Sequence, residues 1–260
     1  MRRLFIIIMI ALFSVLPIYS QVVVTGSLTH EQAAEKGSEY SGTITLQNGG
    51  AIQGSIHIYK TDYQFYADGR ILYPEPGSVV RSNSEWIQIR SSNVTIEPEQ
   101  TRDIYYRVQV PEDVTGEGTF WSMIMIESEP SETGNPDGLM VRQVMRYAVQ
   151  IVTQIGKGGS DISVTQATMD ISDESLPVLV LDVVNTGSRW IHPDLSVELF
   201  SAGKGILGPF KADRKRIYPD TSIRFLVPLT DIPKGEYQAM AVFDSGEDGI
   251  FAAQYGLELR

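Results

Sequence analysis

The sequence predicts an all-β protein: two tandem immunoglobulin-like antiparallel β-sandwiches after a signal peptide. Three observations predict it. Apolar residues recur with period two in short runs. Ile104, Tyr106, Val108 and Val110 share one face, while Asp103, Tyr105, Arg107 and Gln109 share the other. That alternation is the mark of a half-buried strand. Turn chemistry separates the runs, at Glu97-Pro98-Glu99, Pro111-Glu112-Asp113 and Gly116-Glu117-Gly118, because Pro lacks a ladder donor and Gly admits positive φ. A Gly-rich stretch, Gly156–Ser160, then divides the runs into two sets, each large enough for one sandwich.

The elements follow in order. Residues 1–20 read as a signal peptide. Arg2 and Arg3 precede an apolar run from Leu4 to Leu16, Pro17 breaks it, and Ser20 is a small residue before Gln21. The run falls short of the ~20 residues that a membrane-spanning helix needs. Val22–Thr29 reads as an opening strand. Thr29–Gly37 has helical character with a Gly stop. Tyr40–Leu46 alternates up to the turn Asn48-Gly49-Gly50, and Ile52, Gly54, Ile56 and Ile58 continue one face. Phe120–Ile126 is apolar on both faces, as in a strand covered on both sides. Glu129–Gly138 is acidic and rich in breakers, which predicts a surface loop. Val141–Ile155 is one long strand that closes the first sandwich, residues 21–155. The linker is 156–160, and a hinge is expected there. The second sandwich, 161–260, contains the buried run Val178–Val184, the alternating sets around Leu195, Ile223 and Tyr237, and a last strand over Phe251–Leu259. Trp121 shares its parity with Met123 and Met125, so it is expected on the less buried face, and Trp190 near the turn Asn185-Thr186-Gly187.

Composition excludes several functions. With no Cys in 260 residues, disulfides, thiol catalysis, thiolate metal sites and a lipid anchor on Cys are all excluded. The formal net charge is −11, and removing Arg2 and Arg3 takes it to −13. Such a chain is a poor ligand for nucleic acid. His30, His57 and His192 stand in different elements without metal-ligand spacing. No nucleophile elbow, P-loop or dinucleotide fingerprint occurs. Asp244–Gly249 has the acidic look of a calcium loop, but Tyr255 stands where the required downstream Glu belongs. It reads instead as a hairpin turn. No cofactor, metal or catalytic residue is assigned.

The stretch from Trp86 to Ser128 runs Trp, a Pro-Glu turn, an alternating strand ending in Val-Pro, an acidic-Gly turn, and an apolar strand ending in Glu. This order resembles the late strands of the first domain of the periplasmic pilus-chaperone superfamily. The segment Asp62–Tyr73 brings it nearest to the bacterial WxL-interacting cell-surface proteins, and the resemblance spans about residues 38–155. Those proteins end in a transmembrane helix. This sequence ends Gly256-Leu257-Glu258-Leu259-Arg260, so no stable membrane span is expected in the mature chain. The second half resembles bacterial adhesion-type modules more loosely.

The resemblance implies a role for Val141–Ile155. In pilus chaperones this strand lends an apolar ridge to an incomplete pilin by strand addition. A cation near its start and an Arg on the first strand hold the pilin's terminal carboxylate. Here the anchor candidates are Arg142 and Arg146, and the strand-addition candidates on the same face are Val144, Ala148 and Val152. That ridge is interrupted by Arg146, Gln150 and Gln154, and the opening strand has no cation. The arginines would otherwise pair with surface acids and guard an edge strand. The residues therefore favour an exported, non-catalytic binding or scaffold protein of the bacterial envelope, in the periplasm or at the cell surface. Its expected partner is another envelope protein or cell-wall glycan. The alternatives are a strand-adding chaperone and, least supported, a glycan-active hydrolase.

Overall fold

The computed structural model describes residues 22–134, 140–171, 177–201, 203 and 205–259. The leader segment lies outside these residues. The first sandwich opens with β1 (Val22–Thr25), β2 (Thr29–Ala34), β3 (Glu39–Asn48) and β4 (Gly54–Thr61). A short arm follows, β5 (Gln64–Phe65) and β6 (Ile71–Leu72). Then come β7 (Ile87–Ile89), β8 (Asn93–Ile96), β9 (Thr101–Gln109) and β10 (Gly118–Ser128). A hairpin of β11 (Ser131–Gly134) and β12 (Met140–Gln143) leads to β13 (Arg146–Ile155). One sheet has the order β1-β3-β9-β7 and the other β2-β13-β10-β4-β8. Ile44, Leu46, Ile104 and Val108 of the first pack against Ile56, Ile58, Ile124 and Ile151 of the second. The period-two faces read from the sequence are the faces that meet.

The second sandwich holds β14 (Ile162–Ile171), β15 (Pro177–Asn185), β16 (Asp194–Ser201), β17 (Gly205–Lys211), β18 (Ser222–Pro228), β19 (Gly235–Asp244) and β20 (Ile250–Leu259). Its sheets are β14-β15-β18 and β17-β16-β19-β20. Leu179, Leu181, Phe225, Ala239 and Phe243 are among its buried core. Asp182, in the middle of β15, accepts from both Nε and Nη2 of Arg224 at 2.7 Å. This bidentate pair answers the carboxylate that burial would otherwise penalise.

Four expectations change. Thr29–Ala34 is a strand, not a helix, because it pairs parallel with the end of β13. A helix of six residues is too short to hold by itself, even with two Ala, a Glu and a Gln in it, and does not outweigh a ladder. The closing strand is broken at Val144 and Met145 into β12 and β13. The expected loop 129–138 contains strand β11, with 135–139 outside the described residues. Trp121 is not on an exposed face: it is 2% exposed.

The outer face of β10 explains that burial. Trp121 and Val152 of β13 are covered by Tyr218 from the second sandwich, with Tyr63, Phe65 and Trp190 around them. Trp121 Nε1 donates to Tyr63 O at 2.9 Å, which fixes the arm on the sheet. The linker is tied down too. Gly159 O accepts from Ser188 N (2.7 Å) and Arg189 N (3.1 Å), and Gly159 N donates to Ser188 Oγ at 2.9 Å. Among the described residues no sheet crosses Gly156–Ser160, but its backbone is held where a hinge was expected.

Candidate strand-binding edge

β13 is bonded on one side to β10 along Arg146–Ile155. On the other side β2 covers only Gln150–Ile155. Gln150 N donates to Leu28 O at 2.8 Å across that outer side. Backbone groups alternate along a strand, so the N–H and C=O of Arg146 and Ala148 face the same way. Among the described residues, no strand pairs with them there. β13 thus presents a half-open edge. Beside it Val144 and Met145 are 42% and 39% exposed.

The predicted site residues fall into different places. Val144 is exposed, and Ala148 is half-buried on the open stretch. Val152 does not belong to the free edge: it is fully buried beneath Tyr218 and Trp121, and β2 occupies its outer side opposite Glu31. Arg146 is engaged on the sheet face, donating from Nε to Glu127 Oε2 at 2.8 Å. Tyr59 OH donates to the same oxygen at 2.9 Å. The hydrogen bond from Arg146 holds the Glu127 carboxyl below its ordinary range. A cleft of about 260 Å³ runs beside this trio, lined by Tyr73, Pro74, Met125 and Arg146 among others. The backbone of Arg142 lies in β12, and its side chain is outside what is described.

The sequence missed a polar cluster where the β2-covered end of β13 meets the second sandwich. Glu31 Oε1 accepts from Gln154 Nε2 at 2.9 Å and from Trp190 Nε1 at 2.8 Å. Thr119 Oγ1 donates to Gln154 Oε1 and accepts from Trp190 N. Tyr218 OH donates to Gln150 Oε1, and burial pushes its phenol up to about 12. Arg216 lies over Trp190, 4.1 Å from the ring centroid. So β2, the strand that follows the opening one, presents a carboxylate here. The pairs join residues far apart in sequence and leave no spacing to read. One signal was available: a β10 apolar on both faces requires a second cover. Among the described residues, no group of His, Cys, Asp and Glu could hold a metal ion, and no helix is long and apolar enough to cross a membrane.

No family model matches the sequence, and no curated protein matches it. Solved structures do match in fold. One is a chain from a chaperone–tip adhesin complex of CFA/I fimbriae biogenesis. It has a TM-score of 0.51 and 10% identity, covering 90% of this chain and 98% of that one. The class 5 fimbriae chaperone CfaA gives 0.48 at 11% identity, covering 90% and 98%. The CsuC–CsuE chaperone–tip adhesion subunit pre-assembly complex of Acinetobacter baumannii gives 0.44 at 13%, covering 91% and 97%. At such identities the likeness is one of architecture: this chain shares its two-sandwich fold with the first of these structures over nearly its whole length.

Proposed function

We propose that the chain is an exported, non-catalytic protein that captures a protein subunit of the cell envelope by strand addition, as a fimbrial chaperone does. The single observation carrying this reading is the half-open edge of β13, where the backbone of Arg146 and Ala148 faces outward and β2 stops at Gln150. Added backbone hydrogen bonds would supply affinity, and Val144 and Ala148 would meet the incoming side chains. The residues alone favoured a scaffold; the open edge and the shared fold move the reading toward capture. Arg142 or Arg146 would hold a carboxylate, with Arg146 first leaving Glu127.

A second reading keeps the scaffold, with partners of the kind the WxL-interacting proteins suggest. It is favoured by the closed Arg146–Glu127 pair and by the absence of Lys and Arg from β1 and β2. One experiment separates the two. Because the chain has no Cys, Ala148→Cys gives a single thiol for a photo-crosslinker. Capture predicts crosslinks to an extended segment of one envelope subunit, weakened in an Arg142→Ala/Arg146→Ala background. Crosslinks that the double substitution leaves unchanged support the scaffold. No crosslink at Ala148, with ready crosslinking from a thiol placed on the second sandwich, removes the strand-addition reading.

A further inference from the structure

Open sheet edges invite unwanted pairing, and folded proteins normally block them with short strands, prolines, bulges or charges. Among the described residues, seven of the eight terminal strands in the four large sheets carry such a device. β1, β7 and β8 are four, three and four residues long. β2 has six residues and includes Glu31. β14 is bulged between Val164 and Gln166. β17 contains Pro209 and is out of register with β16 between Val197 and Leu199. β18 carries Arg224 and ends at Pro228.

β20 is different. It pairs with β19 over ten residues, Ile250–Leu259, without a register break. It contains no proline, and Glu258 is its one charged residue. Its outward side chains begin with Ile250, 67% exposed, and continue with the small residues Ala252 and Gly256. In the described residues no strand is hydrogen-bonded along its other side, although β14 of the facing sheet comes close to it.

We propose that this edge is a self-association interface, at which a second copy of the chain pairs antiparallel about Gln254. The sequence fits that occupant. With Gln254 opposite itself, Ile250 lies opposite Glu258 and Ala252 opposite Gly256, so no like charges oppose each other. Phe251 then lies opposite Leu257, and Ala253 opposite Tyr255, all on the core side in both copies. The apolar face is therefore continuous across the junction. A two-fold axis through Gln254 makes the contact self-complementary and closed. It joins two four-stranded sheets into one of eight.

The test is sedimentation equilibrium of the exported chain, with circular dichroism to check that each variant is folded. The unmodified chain should be a dimer. Gln254→Lys places two ammonium groups against each other on the axis and should weaken the dimer about tenfold or more. Gln254→Glu should do the same. An equal mixture of the two variants should recover the dimer, because opposite charges then meet. A monomeric parent overturns the proposal, as does a dimer indifferent to Gln254→Lys or a mixture that recovers nothing.

Discussion

The rings of Trp121 and Tyr218 stack 4.8 Å apart and within 18° of parallel. One belongs to β10 of the first sandwich, the other to the segment before β18 of the second. Around them Thr119 N donates to Ser188 O at 2.8 Å, and Ala67 N to Ser222 Oγ at 3.0 Å. The sandwiches are thus joined by a packed contact, and Tyr218 also touches Gln150, where the open edge of β13 begins.

Tyr218→Ala is expected to cost about 3–5 kcal/mol, the usual penalty for truncating a buried aromatic. The melting temperature should fall by roughly 2–4 °C for each kcal/mol lost. In a Trp86→Phe/Trp190→Phe background the emission of Trp121 should start blue and move to the red on that substitution. An emission maximum that stays in place would show that Tyr218 does not shield the indole.

Alkaline pH should loosen the same contact. The Tyr218 phenol is raised by burial to about 12, above the ~10 of an unfolded tyrosine. A raised value means that its contribution to stability is complete below about pH 10 and is lost as pH climbs toward about 12. Ultraviolet difference titration of the parent against Tyr218→Phe isolates this phenol. Ionisation of Tyr218 at the ordinary tyrosine pH would contradict the expectation.

Gly118→Ala should disturb the junction without touching either core. Gly118 has φ +107°, and an added Cβ would lie 1.9 Å from Ser188 O. Relief requires the two sandwiches to shift, at a cost on the order of 1–3 kcal/mol. The Thr119 amide, which now donates to Ser188 O, should exchange with solvent faster. Unchanged exchange at Thr119 would mean that the contact is looser than its geometry.

Acid should free Arg146. The Glu127 carboxyl is held low chiefly by its hydrogen bond from Arg146. For a depressed carboxyl the stabilisation is present above the unfolded value, ~4.3, and is lost as pH falls through the folded one. NMR titration of the Glu127 carboxyl should give a midpoint below that of an ordinary glutamate, and Arg146→Ala should raise it toward the ordinary value. A midpoint indifferent to Arg146→Ala would refute the pairing.

Much of the fold was legible because strand signals are local. The alternation of Ile104, Tyr106 and Val108 gave both the strand and its buried face, and the Asp244–Gly249 turn between β19 and β20 followed from its Gly and Asp content. The site was less legible. Arg146 was found as a cation on an outward face, but its partner Glu127, directly opposite it on β10, was not. Val152 was misplaced because its parity gave the face and not the cover. Glu31, Gln154 and Trp190 were invisible as a group, since Trp190 and Glu31 stand 159 residues apart in sequence.

The sequence by itself determined the all-β class, the two apolar faces of each sandwich and the lack of thiol chemistry, because period, turn residues and composition act within a few residues of where they occur. Only the tertiary structure decided what lies against the outer face of β10 and where the edge of β13 is open. Those outcomes depend on how two separate cores dock and on which strand end meets which. Trp121 shows the reason: its alternation specifies a side of the sheet, while its burial is set by Tyr218, 97 residues further along the chain.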